Sequence, residues 1–331
     1  MQILTREELD GQREAYDALV AQTPDIDVFC SSSYWVFPAD AALMPPRAPF
    51  IRRYDSGYVV LARGRHPDGW SYLQPFEAMW GLACPFVGPD PEALVADFWK
   101  DARLRLAAGE ALLLSGVAVN SRLHQALREA LRSSARAGGR LRTQEIYPCR
   151  RYAASLEGGL DGFLSRRARK LRANLRRSQR MAEAEGVEFE EMPRHSGEDP
   201  RELYGRILAT EALSWKSAEG AGISVGEMRR FYDLMIPRMM ARGALRGLFA
   251  RKDGQDVGYL LGGVFHDTFR GLQFSYDARL AHLSLGNLMQ VEMVSRLEGQ
   301  GLSWYDLGSE VEYKKQWGEA GLETLMFVVV A

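Results

Sequence analysis

The stretch from Leu272 to Trp317 constrains the fold most, because a strand, a turn of small residues, a helix, a second strand and a charged aromatic tail follow one another without a break. The apolar run Gly271–Asp277 predicts the first strand, Leu288–Leu297 carries apolar residues at helical spacing, and Leu302–Gly308 predicts the second strand. Between them, Ser284-Leu285-Gly286-Asn287 reads as a helix entry. A helix entered directly from a strand points unpaired N–H groups and the positive end of its dipole at whatever lies in front of it, and an anion is the natural occupant.

The rest of the chain repeats this alternation loosely. Thr5 and Glu8 predict a capping box opening a helix to about Val20, and Pro24–Pro46 reads as turn-rich and aromatic. Strands are expected at Phe50–Tyr54, Gly57–Arg63 and Trp70–Leu73, then a helix from Asp90-Pro91 to Ala108. A strand at Leu112–Val117, a helix at Ser121–Ala135 and a strand at Arg142–Tyr152 follow. After Gly158-Gly159 comes a cationic helix, a strand at Val187–Glu191 and a polar turn at 194–199. Helices over Arg201–Ser217 and Gly226–Arg242 then lead to strands at Leu245–Arg251, Gln255–Phe265 and Thr268–Tyr276. The expected class is α/β (α+β) in two tandem domains, residues 1–155 and 156–331, each a mixed, mostly antiparallel sheet flanked by helices.

Bulk properties narrow the function. The 331 residues are 46% hydrophobic, enough for a large core, and 42 basic against 43 acidic side chains argue against a protein built to coat nucleic acid. The amino terminus turns polar at once, and no apolar run approaches the ~20 residues that span a bilayer. Cys30, Cys84 and Cys149 are odd in number and far apart, so a cytoplasmic protein without disulfides is expected. His66, His124, His195, His266 and His282 never fall at metal-ligand spacing, which predicts no metal. No Gly-x-Ser-x-Gly elbow or Walker loop is present.

Several groups could carry chemistry. Arg166, Arg167, Arg169, Lys170, Arg172, Arg176, Arg177 and Arg180 crowd one helix without an acid among them. They either bind phosphates, with Arg172 and Arg176 as the leading pair, or form a solvated face neutralised by Glu183, Glu185, Glu188, Glu190 and Glu191. Glu211 and Trp215, four apart, share a helix face that either lines an acceptor cleft beside Lys216 or is a surface acid next to a core indole. Asp306 either takes a proton and orients an amine, or ties down its own loop or a lysine. Lys314 and Trp317 either hold an anion against a pocket wall or are a lysine lying over a packed ring. Tyr276 either protonates a leaving group or packs.

In order, Arg166–Val187, Glu211-Ala-Leu-Ser-Trp215-Lys216, Tyr276-Asp277, Ser284-Leu285-Gly286, Tyr305-Asp306-Leu307-Gly308 and Tyr313–Trp317 resemble the Gcn5-related N-acyltransferase (GNAT) superfamily. The likeness is to its branch of cellulose-biosynthesis-associated acetyltransferases and FemAB-like, peptidoglycan bridge-forming aminoacyl transferases. It covers about half the chain. The branch's tandem habit implies the first domain. Ala281–Gly286 lacks the basic position and first glycine of the superfamily's donor loop, while Ser284-Leu285-Gly286 fits the branch's Ser-Pro-Gly. The resemblance implies N-acyl transfer to a small-molecule or peptide amine. Ser284, Leu285, Gly286 and Asn287 would hold the donor; Glu211, Asp306 and Tyr276 would be catalytic; Trp215, Lys216, Lys314, Trp317, Arg172 and Arg176 would bind acceptor or phosphate. Acyl-coenzyme A, acetyl-coenzyme A first, is the implied co-substrate. Aminoacyl-tRNA is the alternative, which the basic helix favours and the absence of a long helical-hairpin insertion opposes. An anion-binding protein without catalysis is a third reading.

Overall fold

The computed structural model describes residues 1–136, 141–193, 197, 199–214, 216 and 222–331. In chain order the strands are β1 (Gln2–Leu4), β2 (Ala48–Tyr54), β3 (Gly57–Arg65), β4 (Ser71–Pro75), β5 (Phe86–Val87), β6 (Ala111–Ala118) and β7 (Arg142–Ser155). They continue as β8 (Glu188–Glu191), β9 (Leu245–Lys252), β10 (Gln255–Phe265), β11 (Thr268–Tyr276), β12 (Trp304–Ser309) and β13 (Glu319–Val330). The helices are α1 (Arg6–Gly11), α2 (Arg13–Gln22), α3 (Val28–Ser31), α4 (Ser33–Ala42), α5 (Pro91–Ala107) and α6 (Arg122–Arg136). Then come α7 (Gly159–Ser165), α8 (Arg169–Ala184), α9 (Pro200–Glu211), α10 (Gly226–Ala241) and α11 (Leu285–Leu297). The chain divides into two compact units, one made of Met1–Arg150 with Leu322–Ala331, the other of Arg151–Gly321.

In the first unit β1 to β4 form an antiparallel meander, β4 pairs in parallel with β6, and β6 pairs antiparallel with the end of β13. Local chemistry explains the boundaries. Thr5 and Glu8 make the expected capping box, but the chain breaks at Gln12, so the predicted single helix is α1 followed by α2. Asp90 accepts from the Ala93 N–H, and Pro91 opens α5 at a position that needs no donor. Alternate residues of the strands and the apolar faces of α5 and α6 bury Phe50, Phe86, Phe98, Leu112, Leu127 and Phe327 together. The segment read as turn-rich, Pro24–Pro46, is a correction: it contains α3 and α4, and Phe29, Trp35, Val36 and Ala39 are buried there. Its helices are short and apolar nearly all round, so they show no periodic stripe.

The strands of the second unit pair in the order β7, β12, β11, β10, β9, β8, antiparallel except for β12 with β11. The turn between β9 and β10 uses Asp253 (φ 51°) and Gly254 (φ 76°), the double positive φ of a tight hairpin. Phe163 on α7, Leu171 and Leu175 on α8, and Leu288, Met289, Met293 and Leu297 on α11 join Leu248, Leu260, Phe269 and Tyr305 in one core. The α/β (α+β) class holds, with each unit a mostly antiparallel sheet flanked by helices.

Candidate active site

The second unit's parallel pair parts early. β11 and β12 register only at Thr268–Trp304, Phe269–Tyr305 and Arg270–Asp306, after which the two strands are no longer paired with each other. On its other side β12 bulges against β7 between Asp306 and Gly308. Gly308 has φ 84°, and a Cβ there would meet Arg270 Nη2 at 3.2 Å and Lys314 Nζ at 3.3 Å. Glycine is therefore demanded twice, by backbone conformation and by two cations packed over it. A cavity of about 210 Å³ opens at the parting, and Lys216, Gln273, Gln290, Tyr305, Tyr313 and Lys314 supply its polar wall.

Electrostatics divide these groups into two kinds. Asp306 receives Arg270 Nη1 at 2.6 Å on one oxygen and the Gly308 N–H at 2.7 Å on the other, with Arg151 Nη1 3.8 Å away. Burial alone would raise its pKa, but Arg270, Arg151 and the Gly308 N–H outweigh burial and hold it below the usual carboxylate range. Such a group anchors; it does not take protons near neutrality. Lys314 is the opposite case. Among the described residues its Nζ donates only to the Ser309 carbonyl, at 3.2 Å, and burial, then Arg270, bring its pKa down to about 8 against the pull of Asp306. Lys216 donates to the Phe274 carbonyl at 2.7 Å and to Gln273 Oε1 at 3.3 Å. Burial lowers its pKa as well, and Glu211 pulls it back up.

Glu211 is fully buried at the end of α9, where Oε2 accepts from Tyr259 at 2.9 Å. It reaches the cavity through its field on Lys216, since it lines none of the cavity wall. Trp215 lies outside the described residues, as do residues 194–196 and 198 of the polar turn. Trp317 requires a correction: it is completely buried, stacked on Phe163 at 6.1 Å in the α7 core, and forms no wall of the cavity. Its apolar area was better removed from water than left at a mouth, at roughly 25 cal/mol per Å². Tyr276 packs beside Gly286 instead of lining the cavity.

The helix entry lies where the sequence places it. Ser284 occupies the N-cap with φ 56° and ψ 40°, and its side chain makes no capping bond. Leu285 and Gly286 are buried, and a Cβ at Gly286 would come within 2.9 Å of Phe274 and 3.3 Å of Tyr276. That glycine lets the helix sit tightly on β11. Asn287 stays half-buried, its N–H bonded to the Ser284 carbonyl at 2.9 Å. Next to this entry, α8 packs on the turn Ala278–Leu283, and His282 bonds Glu185 at 2.7 Å. Arg176 is exposed and Arg172 half-buried on α8.

Sequence reasoning missed Arg270, Arg151 and Gln290. Gln290 had a signal: Gly286, Gln290, Met293 and Leu297 fall on one helix face, and a lone amide on an apolar face calls for an explanation. Arg270 interrupts an apolar strand, a weaker sign of the same kind.

Residues 169–315 match the family profile described as "Acetyltransferase (GNAT) domain". No curated protein sequence is a significant match. Among solved structures, FemX aligns with TM-score 0.65 at 11% identity over 98% of this chain and 97% of its own. A conserved protein of unknown function from Bacteroides thetaiotaomicron VPI-5482 aligns with TM-score 0.64 at 15% identity over 96% of both chains. L-PGS from Bacillus licheniformis aligns with TM-score 0.56 at 10% identity over 96% of this chain and 91% of its own. At these identities the structures speak for the fold, while the profile falls on the unit that holds the parted strands and the cavity. Residues 169–315, within the second unit, thus carry a GNAT acetyltransferase-type domain.

Proposed function

We propose that the protein moves an acyl group, acetyl first among the candidates, from a coenzyme A thioester to the amine of a small molecule or peptide. The observation that carries this reading is the parting of β11 and β12 after three paired residues, with Lys314 at the opening. Strands that separate leave main-chain N–H and C=O groups along their inner edges available to an extended donor. Ser284, Leu285, Gly286 and Asn287 would border the donor, and Arg172 and Arg176 would meet its phosphates.

As the amine attacks, the new C–N bond makes its nitrogen acidic. Lys314, neutral in a useful fraction because its pKa is about 8, takes that proton and returns it to the thiolate as the C–S bond breaks. The products are an amide and a free thiol. Asp306 is here a positioning residue: it fixes Arg270 and the Gly308 turn on which Lys314 rests. Glu211 supports the charge of Lys216. Tyr276 stays a packing residue beside the donor entry. The cytoplasm, where coenzyme A thioesters are held, is the compartment this reading implies; among the described residues no helix is long and apolar enough to cross a membrane.

The test is thiol release from acetyl-coenzyme A and longer thioesters with a panel of amines between pH 6 and 10. The expected rate rises with pH to a plateau, with a midpoint near 8, as Lys314 loses its proton. Absence of thiol release from every thioester with every amine would overturn the reading. One observation favours aminoacyl-tRNA as donor instead: among the described residues the cations of α8 form no ion pair with an acid, and three of the acids after it pair with other cations. Glu185 bonds Lys252 and His282, Glu190 bonds Arg206 and Arg251, and Glu191 pairs with Arg296. Transfer from charged tRNA by protein that ignores every thioester would establish that second reading.

A further inference from the structure

The cavity at the parted strands contains polar atoms that acyl transfer to a plain amine does not need. Gln290 is 4% exposed, it lines the cavity, and its Oε1 has no hydrogen-bond partner. A buried amide oxygen left unbonded is unfavourable, so the position asks for a donor from the ligand. Across the cavity, Lys216 has three N–H bonds to give and only neutral acceptors, the Phe274 carbonyl and Gln273 Oε1, to receive them. No carboxylate of the described residues forms an ion pair with it. Glu211 Oε2 accepts from the Tyr259 hydroxyl, and Asp306 is occupied by Arg270 and the Gly308 N–H.

The site therefore combines a buried cation that no described carboxylate bonds directly, Glu211 acting on it only at a distance, with an amide oxygen lacking a donor, in a space of about 210 Å³. A plain amine would satisfy Gln290 and leave Lys216 without a directly bonded anion. A dicarboxylic acyl group would satisfy Lys216 and leave Gln290 unbonded. For an acyl acceptor, whose reacting group is an amine, a carboxylate on the same small unit satisfies both.

We propose that the acceptor is an α-amino acid, its carboxylate held by Lys216 and its amine by Gln290 Oε1, next to Lys314. This rests on the acyl-transfer reading and names its substrate class. Discrimination against the uncharged analogue follows from the penalty of leaving Lys216 buried without its anion.

The experiment compares free L-amino acids with their α-amides and decarboxylated amines as acceptors from acetyl-coenzyme A, and from succinyl-coenzyme A in a second arm. The acids should exceed the amides at least ~10-fold in kcat/KM. That ratio should collapse in Lys216→Met and return in Lys216→Arg, with circular dichroism checking the fold; Gln290→Leu should raise KM for the amino acid. Calorimetry with N-acetyl-L-alanine and N-acetyl-L-alaninamide reads the carboxylate preference without turnover. If no thioester is used, the acyl-coenzyme A reading fails while tighter binding of the acid still upholds the subsite. Equal use or equal binding of acid and amide, an unchanged ratio in Lys216→Met, or a preference for the succinyl donor with no acceptor discrimination would each overturn the proposal.

Discussion

Both units contain a parallel strand pair that stops almost as soon as it starts, and they treat the resulting gap in opposite ways. In the first unit β4 and β6 pair only at Tyr72–Ala111 and Leu73–Leu112. The chain leaving β4 then turns back on β6: a Cβ on Gly116 would lie 2.1 Å from the Ala83 carbonyl oxygen, and one on Gly81 would lie 3.4 Å from Ser115. Glu77, 1% exposed, organises this segment by accepting from the N–H groups of Trp80, Leu82 and Ala83 at 2.7, 2.9 and 3.2 Å. In the second unit the chain leaving β11 forms a turn and α11, and the cavity with its two lysines remains. A carboxylate satisfied by its own backbone closes one gap. Cations that bond only neutral acceptors among the described residues line the other.

The comparison breaks most readily at Glu77. In Glu77→Leu three N–H groups lose their acceptor at once, and at about 1–3 kcal/mol each the first unit should be destabilised on the order of 5 kcal/mol. Denaturant unfolding checks the size, and hydrogen exchange at Trp80–Ala83 checks the place. A loss under ~1 kcal/mol would show that the segment holds itself against β6 without the carboxylate, and the contrast between the units would lose its cause.

Lys314→Met is the counterpart in the second unit. Removing a proton acceptor of this kind should lower kcat about 10²–10⁴-fold. Stability should move the other way. Folding lowers the Lys314 pKa to about 8 from an unfolded value of about 10.4, so between those values the unfolded chain holds more protons and the wild-type protein gains stability as pH rises. Below pH 8 the folded state keeps an unfavourable buried charge, so the methionine variant should melt higher than wild type at pH 7, and that advantage should shrink above pH 8. A variant both inactive and less stable at pH 7 would make Lys314 an ordinary packing lysine.

How much of this was legible in the sequence follows from where each signal lies along the chain. Asp90-Pro91, Asp253-Gly254 and the Thr5–Glu8 box announce their elements because capping and turn chemistry are local. The helices α3 and α4 were hidden, since burial on nearly every side erases the stripe that marks an amphipathic helix. At the site, Lys216 and Lys314 were named and the structure brings them to one cavity 98 positions apart in sequence, with Asp306 behind them. Trp317 was misplaced, because an aromatic residue next to lysines reads the same whether it faces a ligand or a core. The Asp306–Arg270 pair depends on the parallel register of two strands 36 residues apart, which no local pattern encodes.

The smallest effect is expected on α8, where it separates surface charge from the buried charge of the cavity. Arg169, Arg176 and Arg180 are exposed and lie along one helix face, opposite buried Leu171, Leu175 and Ala182. Exposed cations in water act weakly and are screened beyond about 10 Å at 0.1 M salt. Arg176→Ser with Arg180→Ser should therefore raise KM for acetyl-coenzyme A only a few-fold and leave kcat unchanged. The effect should fade as salt is added, and it should vanish for a pantetheine thioester that carries no phosphates. Lys216 sits in the cavity, and its carboxylate preference should persist at the same salt. A salt-sensitive kcat in the arginine variant would mean that the helix acts on the reaction itself, while an unchanged KM at low salt would leave α8 as a solvated face. The persistence of the Lys216 preference where the α8 effect has faded is what marks one set of cations as a pocket and the other as a surface.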